Sequence, residues 1–517
     1  MASTFIEEIS LLVRSRYPLV YLVSAEEERV LRSVAGLAGE LKKDLWSWTS
    51  TSGMVSEVLS KEKKGSDRAP LRYGEVGEGA ASPRDPLGAL DHILASSSRG
   101  IFLLHDFHVH LDEPQVVRRM RDLVAGLRST FKTVLILAPK LVVPTELEKD
   151  LSVVDVPLPD REELSQLLNR FLAQIERDRR FEVNLTASDR ERVVHTVCGL
   201  TESQAWRVFS KVTVDDRVFD LSDLGRILEE KRQEIRKLGI LEYTEVAESS
   251  KDVGGLGALK EWVDHRKQAF GKAARDYGLP EPKGVLLLGV QGCGKSLSSK
   301  VIAATLGLPL LRLDVGRIFS SYIGQSEENM RKAISMAEGL SPVVLWIDEI
   351  EKGFAGTDGG AVADSGATMR VFATFLTWLQ EKTAPVFVVA TANRIKSLPP
   401  ELLRKGRFDE IFFIDLPQPD ERREIFSIHI GRRNRDATTF DLERLASESD
   451  GYSGAEIEQA VLEAMFSAFA RGREISTEDI SKAINRTVPL SRTMYEEIAG
   501  LREWAVTRAR PATLPPS

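Results

Sequence analysis

The sequence predicts two α/β domains in tandem, each built on a parallel sheet covered by helices and each followed by a helical region. Three observations support this fold class. Strand-like apolar runs alternate with helical patterns in both halves of the 517-residue chain. The two halves repeat the same order of segments. In the second half, a glycine-rich phosphate-loop pattern at residues 289–296 stands between a strand and a helix.

Composition limits the classes of protein to consider. The hydrophobic share of 42% and the charged share of 28% are ordinary for globular proteins that remain in solution. A formal net charge of −7, without a basic stripe, makes a nucleic-acid motor unlikely on this pattern. No apolar run approaches the ~20 residues of a membrane helix. The two cysteines, Cys198 and Cys293, do not suggest a disulfide framework, so we expect a cytoplasmic protein without a membrane span.

The first half is interpreted from its matches to the second. "GIFLLHDF" matches "PVVLWIDEI", "KTVLILAPK" matches "PVFVVATAN", and "CGLTESQAWRVF" matches "DGYSGAEIEQAV". Several matches in one order make chance similarity improbable, so the chain is predicted to hold two copies of one module. The predicted boundaries are 1–158 (a degenerate α/β domain), 159–245 (a lid-like helical region and connector), 246–420 (the second α/β domain), 421–490 (a helical lid) and 491–517 (a partly disordered tail).

The segment "GVQGCGKS" predicts a triphosphate site. Gly292 and Gly294 let the backbone curl so that its amides face the phosphates, and the following helix adds a partial positive charge. Lys295 is expected to reach the β- and γ-phosphates, and Ser296 to bind Mg²⁺. The alternative is an ordinary glycine turn. The residues expected to contact the nucleotide here are Val290, Gln291, Gly292, Cys293, Gly294, Lys295, Ser296 and Leu297.

The ends of two later strands carry the residues expected to bind Mg²⁺ and to activate water. Asp348 and Glu349 end an apolar strand that reads as central in the sheet. Asp348 is expected to orient Mg²⁺, and Glu349 to polarise the water that attacks the γ-phosphate. Asn393, at the tip of the neighbouring strand, can hydrogen-bond the same water or the γ-phosphate. An exposed acidic pair at a strand end is the simpler alternative.

With these motifs in place, residues 250–490 resemble an AAA ATPase module of the protein-remodelling clade. This resemblance implies ATP and Mg²⁺ as cofactors and a ring, usually of six subunits. It places Arg404 and Arg407 as arginine fingers that reach a neighbour's γ-phosphate, although a solvated basic loop would also explain their charge. The remaining nucleotide contacts that it implies are Val253, Gly254, His429, Gly454 and Ala455.

The resemblance also implies a pore loop, and the module departs from the family pattern within the phosphate loop, where Val290 and Gln291 replace common prolines. Tyr322, Ile323 and Gly324 stand where the family grips an extended polypeptide, although a tyrosine on a short loop often only packs. Cys293 stands where threonine is usual. A thiol at a helix N-terminus can have a depressed pKa, or Cys293 can be a tolerated small residue.

The first copy is expected to have lost its nucleotide site. The segment "YPLVYLVSAEEERVLRSV" stands where a phosphate loop would be expected, but it has neither glycine nor lysine. Its Glu26, Glu27 and Glu28 would repel a triphosphate. On the strand match, Asp106 takes the place of Asp348, and Phe107 takes the place of Glu349. The position equivalent to Asn393 falls near Leu141. The nearby histidines at 105, 108 and 110 match no closed metal site.

The whole chain resembles a group of AAA ATPases of about 500 residues known from cyanobacteria and algal plastid genomes. Two functional hypotheses follow from this resemblance. In the first, a ring ATPase remodels or threads a protein partner, and the first copy binds substrate or adaptor proteins. In the second, ATP gates a regulatory or assembly protein that does not thread a substrate.

Overall fold

The computed structural model describes residues 5–57, 83–178, 180–237, 239–244, 252–319, 325–354, 365–404 and 406–514. The chain divides into two compact units. The first unit comprises residues 1–174 and 201–210, and the second comprises residues 175–200 and 211–517. In the part of the chain that is described, no helix is both long and apolar enough to cross a membrane.

The first unit is built on a six-stranded sheet in the order β3-β2-β4-β5-β1-β6. Its strands are parallel except β3, which forms a hairpin with β2. They are β1 (Leu19–Val23), β2 (Leu45–Thr49), β3 (Gly53–Ser56), β4 (Ile101–His105), β5 (Thr133–Ala138) and β6 (Leu151–Asp155). The helices that begin in this unit are α1 (Phe5–Arg14), α2 (Glu27–Glu40), α3 (Pro86–Ala95), α4 (Pro114–Leu127), α5 (Arg161–Ile175) and α7 (Glu202–Asp216).

The second unit is built on a seven-stranded sheet in the order β15-β14-β10-β13-β12-β11-β9, with β9 antiparallel at one edge. Its central strands are fully buried apolar runs, as expected for a parallel sheet covered on both faces. The strands are β9 (Leu241–Thr244), β10 (Gly284–Gly289), β11 (Leu310–Leu313), β12 (Val343–Ile347), β13 (Val386–Ala392), β14 (Glu410–Ile414) and β15 (Arg510–Pro511). A separate two-stranded sheet pairs β7 (Glu182–Asn184) with β8 (Val218–Asp220).

Helices surround this sheet and continue into the lid. The helices of the α/β part and of the segment before it are α6 (Ala187–Val197), α8 (Leu224–Lys237), α9 (Gly257–Asp264), α10 (Lys272–Asp276), α11 (Lys295–Leu306), α12 (Val315–Phe319), α13 (Gln325–Gly339) and α14 (Ser365–Glu381). Those of the lid and the C-terminal segment are α15 (Pro419–Gly431), α16 (Leu442–Glu448), α17 (Gly454–Phe469), α18 (Thr477–Arg486), α19 (Leu490–Thr493) and α20 (Tyr495–Arg508).

The two sheets share one topology. Read from the edge with the antiparallel strand, the first runs β3-β2-β4-β5-β1-β6 and the second runs β9-β11-β12-β13-β10-β14 before β15 is added. In the first sheet β1 lies between β5 and β6, and in the second sheet β10 lies in the same way between β13 and β14. The predicted fold class, a nucleotide-type α/β module with a helical lid after a second α/β domain, is confirmed.

The strand ends correct the sequence match between the copies by one residue. Asp106 and Glu349 both have left-handed backbone, with φ of 51° and 50°, and each is followed directly by a short 3-10 helix. Asp106 therefore corresponds to Glu349, not to Asp348, and His105 corresponds to Asp348. Two apolar strands can be matched one residue out of step without changing their character, and only the turn fixes the register.

The same registers move a second position. His105 pairs with Leu137 in the first sheet, and Ile347, the residue before Asp348, pairs with Ala390 in the second, so Leu137 corresponds to Thr391. Pro139 therefore corresponds to Asn393, whereas the sequence match placed this position near Leu141. Because proline has no side-chain amide, the first copy lacks this hydrogen-bonding group.

The C-terminal segment, predicted to be a partly disordered tail over residues 491–517, has regular structure among its described residues. A helix (Tyr495–Arg508) and a short strand belong to the second unit. Arg502 makes a bidentate ion pair with Asp415, with Nε 2.8 Å from Oδ2. The strand β15 then pairs with β14. Alternating charges along this segment look typical of a solvated tail, so the sequence alone did not reveal the pairing.

Candidate nucleotide site

The phosphate-loop segment forms the turn between β10 and α11. Gly292 and Gly294 have φ of 78° and 87°, a conformation that side-chain-bearing residues rarely adopt. Lys295, the first residue of α11, is buried and donates hydrogen bonds from Nζ to Gly289 O (2.9 Å) and Val290 O (2.6 Å). Burial lowers the pKa of Lys295 to about 8, and nearby carboxylates oppose this shift. The loop thus holds a buried cation beside backbone amides at a helix N-terminus.

Ser296 and Asp348 meet beside this lysine. Ser296 Oγ donates to Asp348 Oδ1 at 2.9 Å, and Thr391 Oγ1 donates to the same oxygen at 2.7 Å. A hydroxyl and a carboxylate are hard oxygen ligands of the kind that Mg²⁺ prefers, so this pair fits the ion that the phosphate-loop pattern implies. Thr391 orients the carboxylate from the neighbouring strand, as outer residues do around metal ligands.

Glu349 lies directly after Asp348 and is held from two strands. Its backbone N–H donates to Thr391 Oγ1 (2.9 Å), and Asn393 Nδ2 donates to its Oε1 (3.1 Å). Lys352 forms an ion pair with its other carboxylate oxygen. The structure therefore brings together Asp348, Glu349 and Asn393, at the carboxyl ends of β12 and β13.

Thr391 and Glu351 are two polar residues of this cluster that the sequence did not single out. Thr391 lies inside the apolar strand "VFVVATAN". Its hydrogen bonds to Asp348 and Glu349 depend on the register between β12 and β13, which the sequence does not show. Glu351 is buried, and its Oε1 accepts a hydrogen bond from Asn393 N (2.8 Å). Burial raises the pKa of Glu351. Its position as a third acid, two residues after Glu349, was the one feature of the sequence that could have indicated a place in this cluster.

The lid helix α17 approaches the phosphate loop. Ala455 N donates to Gly292 O at 3.0 Å, and a Cβ added to Gly292 would lie 3.0 Å from Ser453 Oγ and 3.2 Å from Ala455 Cβ. Glycine at 292 therefore serves this close approach as well as the turn. Gly454, the first residue of α17, lies against the same carbonyl.

The segment of Val253 and Gly254, two of the nucleotide contacts implied by the resemblance, is fixed by the lid as well. Val253 is buried, and a Cβ on Gly254 would lie 2.9 Å from Ile425 Cγ1. Glu421, buried on α15, accepts hydrogen bonds at Oε1 from Leu256 N (3.0 Å) and from Thr513 Oγ1 (2.9 Å). One carboxylate thus joins this segment to the lid and to the C-terminal strand.

His429 lies on α15 within the lid. Its Nδ1 is buried and 3.5 Å from Glu458 Oε1, which also accepts a hydrogen bond from Arg433. Burial lowers the pKa of His429, with Glu458 opposing the shift. A neutral imidazole at this position can donate or accept a hydrogen bond without adding charge.

The two candidate arginine fingers flank Gly406. Arg404 is exposed. Arg407 is half-buried, and its Nη1 is buried without a hydrogen-bond partner among the described residues. Within one chain, neither guanidinium belongs to the cluster around Glu349.

Two predictions remain, one for the thiol of Cys293 and one for the pore loop. Burial raises the pKa of Cys293 to about 12, with Lys295 opposing the shift, so this thiol is not the activated thiol that a helix N-terminus can produce. The pore-loop residues Tyr322, Ile323 and Gly324 lie outside the described residues.

In the first unit, side chains fill the edge that corresponds to this site. Only residues 24–26 separate β1 from α2, whereas residues 290–294 separate β10 from α11. Arg29, 3% exposed, bonds Glu163 Oε2 (2.8 Å), Glu26 Oε2 (2.8 Å) and a backbone carbonyl. Glu26 Oε1 in turn accepts a hydrogen bond from Glu202 N (2.6 Å) at the start of α7. An internal ion pair thus occupies this edge.

Comparisons with known proteins give a consistent assignment. Family models match residues 5–156 ("SpoVK-like AAA ATPase, N-terminal domain"), 162–238 (its second domain), 285–416 ("ATPase family associated with various cellular activities (AAA)") and 439–482 ("AAA+ lid domain"). The AAA domain-containing protein ycf46 of Pyropia yezoensis is 40% identical over 99% of both chains. The proteasome-activating nucleotidase of Thermococcus onnurineus is 28% identical over 60% of this chain and 77% of its own.

Proposed function

Because the chain belongs to the ycf46 family of AAA domain-containing ATPases, we propose that it hydrolyses ATP to ADP and phosphate, with Mg²⁺ as cofactor. The observation that carries this proposal is the cluster at the ends of β12 and β13, where Asn393 bonds Glu349 beside the Ser296–Asp348 pair. A carboxylate fixed in this way can accept a proton from an attacking water. Bound Mg²⁺ would supply charge stabilisation for the transferring phosphoryl group.

We further propose that the active form is a ring, expected to have six subunits, in the cytoplasm. Arg404 is exposed, and Arg407 has a buried, unpartnered Nη1 among the described residues. Arginines outside their own chain's catalytic cluster suit a role at a neighbour's γ-phosphate. The first unit, whose corresponding edge is closed by Arg29 and Glu163, is proposed to bind a substrate or adaptor protein.

The proposed ring acts on a protein partner. One relative, the proteasome-activating nucleotidase, is named for an action on another protein assembly. The cell division cycle protein 48 homolog of Archaeoglobus fulgidus is 32% identical over 48% of this chain and 34% of its own. The name of the nucleotidase supports an action on a protein partner for this chain, without identifying that partner. The alternative, a protein in which ATP gates assembly without threading, is an outcome of the tests below.

The decisive variant is Glu349→Gln, which keeps the size and the hydrogen-bonding capacity of the side chain and removes its basicity. We expect ATP binding to persist and phosphate release to fall by at least about a hundredfold. Glu381→Gln, at the exposed end of α14, is the matched control and should behave as wild type. Unchanged phosphate release in the Glu349→Gln variant would refute the proposal.

Electron microscopy of the Glu349→Gln protein with ATP tests the ring and its substrate together. A closed ring with polypeptide in its centre supports remodelling by threading. A closed ring without polypeptide, combined with partner processing that survives Tyr322→Ala, supports ATP-gated assembly instead. A monomer at saturating ATP would contradict the role in trans that is proposed for Arg404 and Arg407.

A further inference from the structure

The first unit carries a cationic surface at the amino-terminal edge of its sheet. Since β1, β2, β4 and β5 are parallel, the loops that precede them lie along one edge. These loops supply Arg16, Lys42, Lys43 and Arg99, and Phe131 lies in the loop just before β5. We call these five residues the basic edge.

The basic edge is organised around one aromatic ring. In the sheet, β5 lies between β1 and β4, so Phe131 lies between the loops of Arg16 and Arg99. The guanidinium carbon of Arg16 is 4.3 Å from the ring centroid, and that of Arg99 is 5.3 Å away. Both distances are within the range of a cation–π contact. Lys43 Nζ donates to the Phe131 carbonyl, which fixes the same loop.

These cations lack carboxylate partners. Within the described residues, none of Arg16, Lys42, Lys43 and Arg99 forms an ion pair with an acidic side chain. The closest acid in sequence, Asp44, accepts a hydrogen bond from Ser98 Oγ at 2.7 Å. The pKa of Lys43 is lowered by burial and, to a lesser extent, by the charge of Arg16. Like charges are therefore held together at a cost that an anionic partner would relieve.

The corresponding edge of the second unit has carboxylates close to its lysines. There, burial lowers the pKa of Lys382 to about 8, and the nearby carboxylates of Asp409, Glu281 and Glu338 oppose this shift. The Asp409 carboxylate also accepts a hydrogen bond from Lys283 N at 2.8 Å. Three carboxylates thus influence a lysine at this edge, whereas the basic edge brings four cations together on a chain that is acidic overall.

We propose that the basic edge binds an acidic, carboxylate-rich segment of a protein partner. Guanidinium groups match carboxylates in geometry and can bind them in a bidentate manner. Four cations on neighbouring loops, two of them over one ring, suit a short acidic segment, and they are fewer than the roughly 6–10 phosphate contacts of a duplex-binding protein. The two guanidinium groups also occupy the Phe131 ring, on which a nucleic-acid base would otherwise stack. The inference deepens the partner-binding role proposed above for the first unit.

The test measures binding by the full-length protein and does not depend on ATP turnover. The probe is a fluorescein-labelled peptide of alternating Glu and Gly residues, followed by fluorescence anisotropy, with a Gln–Gly peptide of equal length as the uncharged control. Arg16→Glu/Arg99→Glu should weaken binding of the Glu peptide by about tenfold or more. Arg84→Glu/Arg121→Glu, at exposed arginines of the same unit, makes the same charge change and should leave binding nearly unchanged.

Further measurements keep the proposal open to refutation. The neutral pair Arg16→Gln/Arg99→Gln should give an intermediate loss, and added salt should weaken wild-type binding. Equal affinity for the Gln–Gly peptide, or an equal loss in the control pair, would overturn the proposal. Stronger competition by single-stranded DNA than by unlabelled Glu peptide would identify a nucleic-acid surface instead. Glu349→Gln should leave peptide binding intact, so failure of the proposed ATPase and failure of this surface are distinguishable.

Discussion

Asn393 Nδ2 donates a hydrogen bond to Glu349 Oε1 at 3.1 Å, which links the ends of two neighbouring strands. Glu349 has a left-handed backbone, which is uncommon for a residue with a side chain. This conformation persists because contacts on both sides fix it: Thr391 accepts the Glu349 N–H, and Asn393 holds the carboxylate. The orientation of the proposed catalytic acid therefore depends on β13 as much as on its own strand.

We expect Asn393→Ala to lower the kcat of ATP hydrolysis by about ten- to a hundredfold, because the Glu349 carboxylate loses the group that orients it. ATP affinity should change little, since Asn393 does not belong to the phosphate loop. Steady-state phosphate release and equilibrium ATP binding separate the two effects. Asn485→Ala, whose amide bonds Ser481 O in the lid, is the matched control. A loss of ATP affinity without a change in kcat would assign Asn393 to binding instead.

Thr391→Val tests the hydroxyl that joins Asp348 to the Glu349 backbone. Valine has nearly the shape of threonine but leaves the Glu349 N–H without its acceptor, at a cost of roughly 1–3 kcal/mol. We expect lower turnover and a higher Mg²⁺ concentration for half-maximal activity, because Asp348 also loses its hydrogen bond from Thr391. Thr374→Val, on the exposed side of α14, is the control. An unchanged Mg²⁺ dependence would rule out this orienting role.

The features that the sequence could predict are those encoded in local pattern. The segment 289–296 carries strand, turn glycines and helix start within a few residues, and apolar runs mark the central strands. The copy-to-copy register could not be predicted, because a shift by one residue exchanges one apolar residue for another and leaves the left-handed turn at Asp106 undetected. The role of Thr391 could not be predicted for a similar reason, because its hydrogen-bond partners, Asp348 and Glu349, follow another strand. Domain boundaries and individual site roles remain predictions.

Lys283 is expected to position the arginine loop. Its Nζ donates to Gln380 O (2.8 Å) and Gly406 O (2.7 Å), which ties the end of α14 to the glycine beside Arg407. Lys283→Met should lower turnover several-fold and leave ATP binding intact, whereas Lys283→Arg should retain most activity. If Arg407 acts in trans, mixing inactive Glu349→Gln subunits with Lys283→Met subunits should restore turnover per active site. Failure of this mixing, with rings still formed, would contradict the positioning role.

Lys295 should make stability depend on pH in a defined window. Its pKa is about 8 in the folded chain, because burial disfavours the ammonium, and ~10.5 in the unfolded chain. Below pH 8 both states hold the proton, and the folded state bears the full cost of a buried charge. Between pH 8 and 10.5 only the unfolded state holds it, so the contribution of Lys295 to stability rises with pH.

Comparison with Lys295→Met isolates this effect from other titrating groups. As pH rises from 8 to 10, the unfolding free energy of wild type should increase relative to that of Lys295→Met, by up to ~3 kcal/mol. Chemical denaturation at each pH, without nucleotide, measures the difference. Lys396→Met, at an exposed lysine, should run parallel to wild type. A parallel profile for Lys295→Met would mean that Lys295 keeps its proton throughout, so that the phosphate loop presents a full charge to ATP even at alkaline pH.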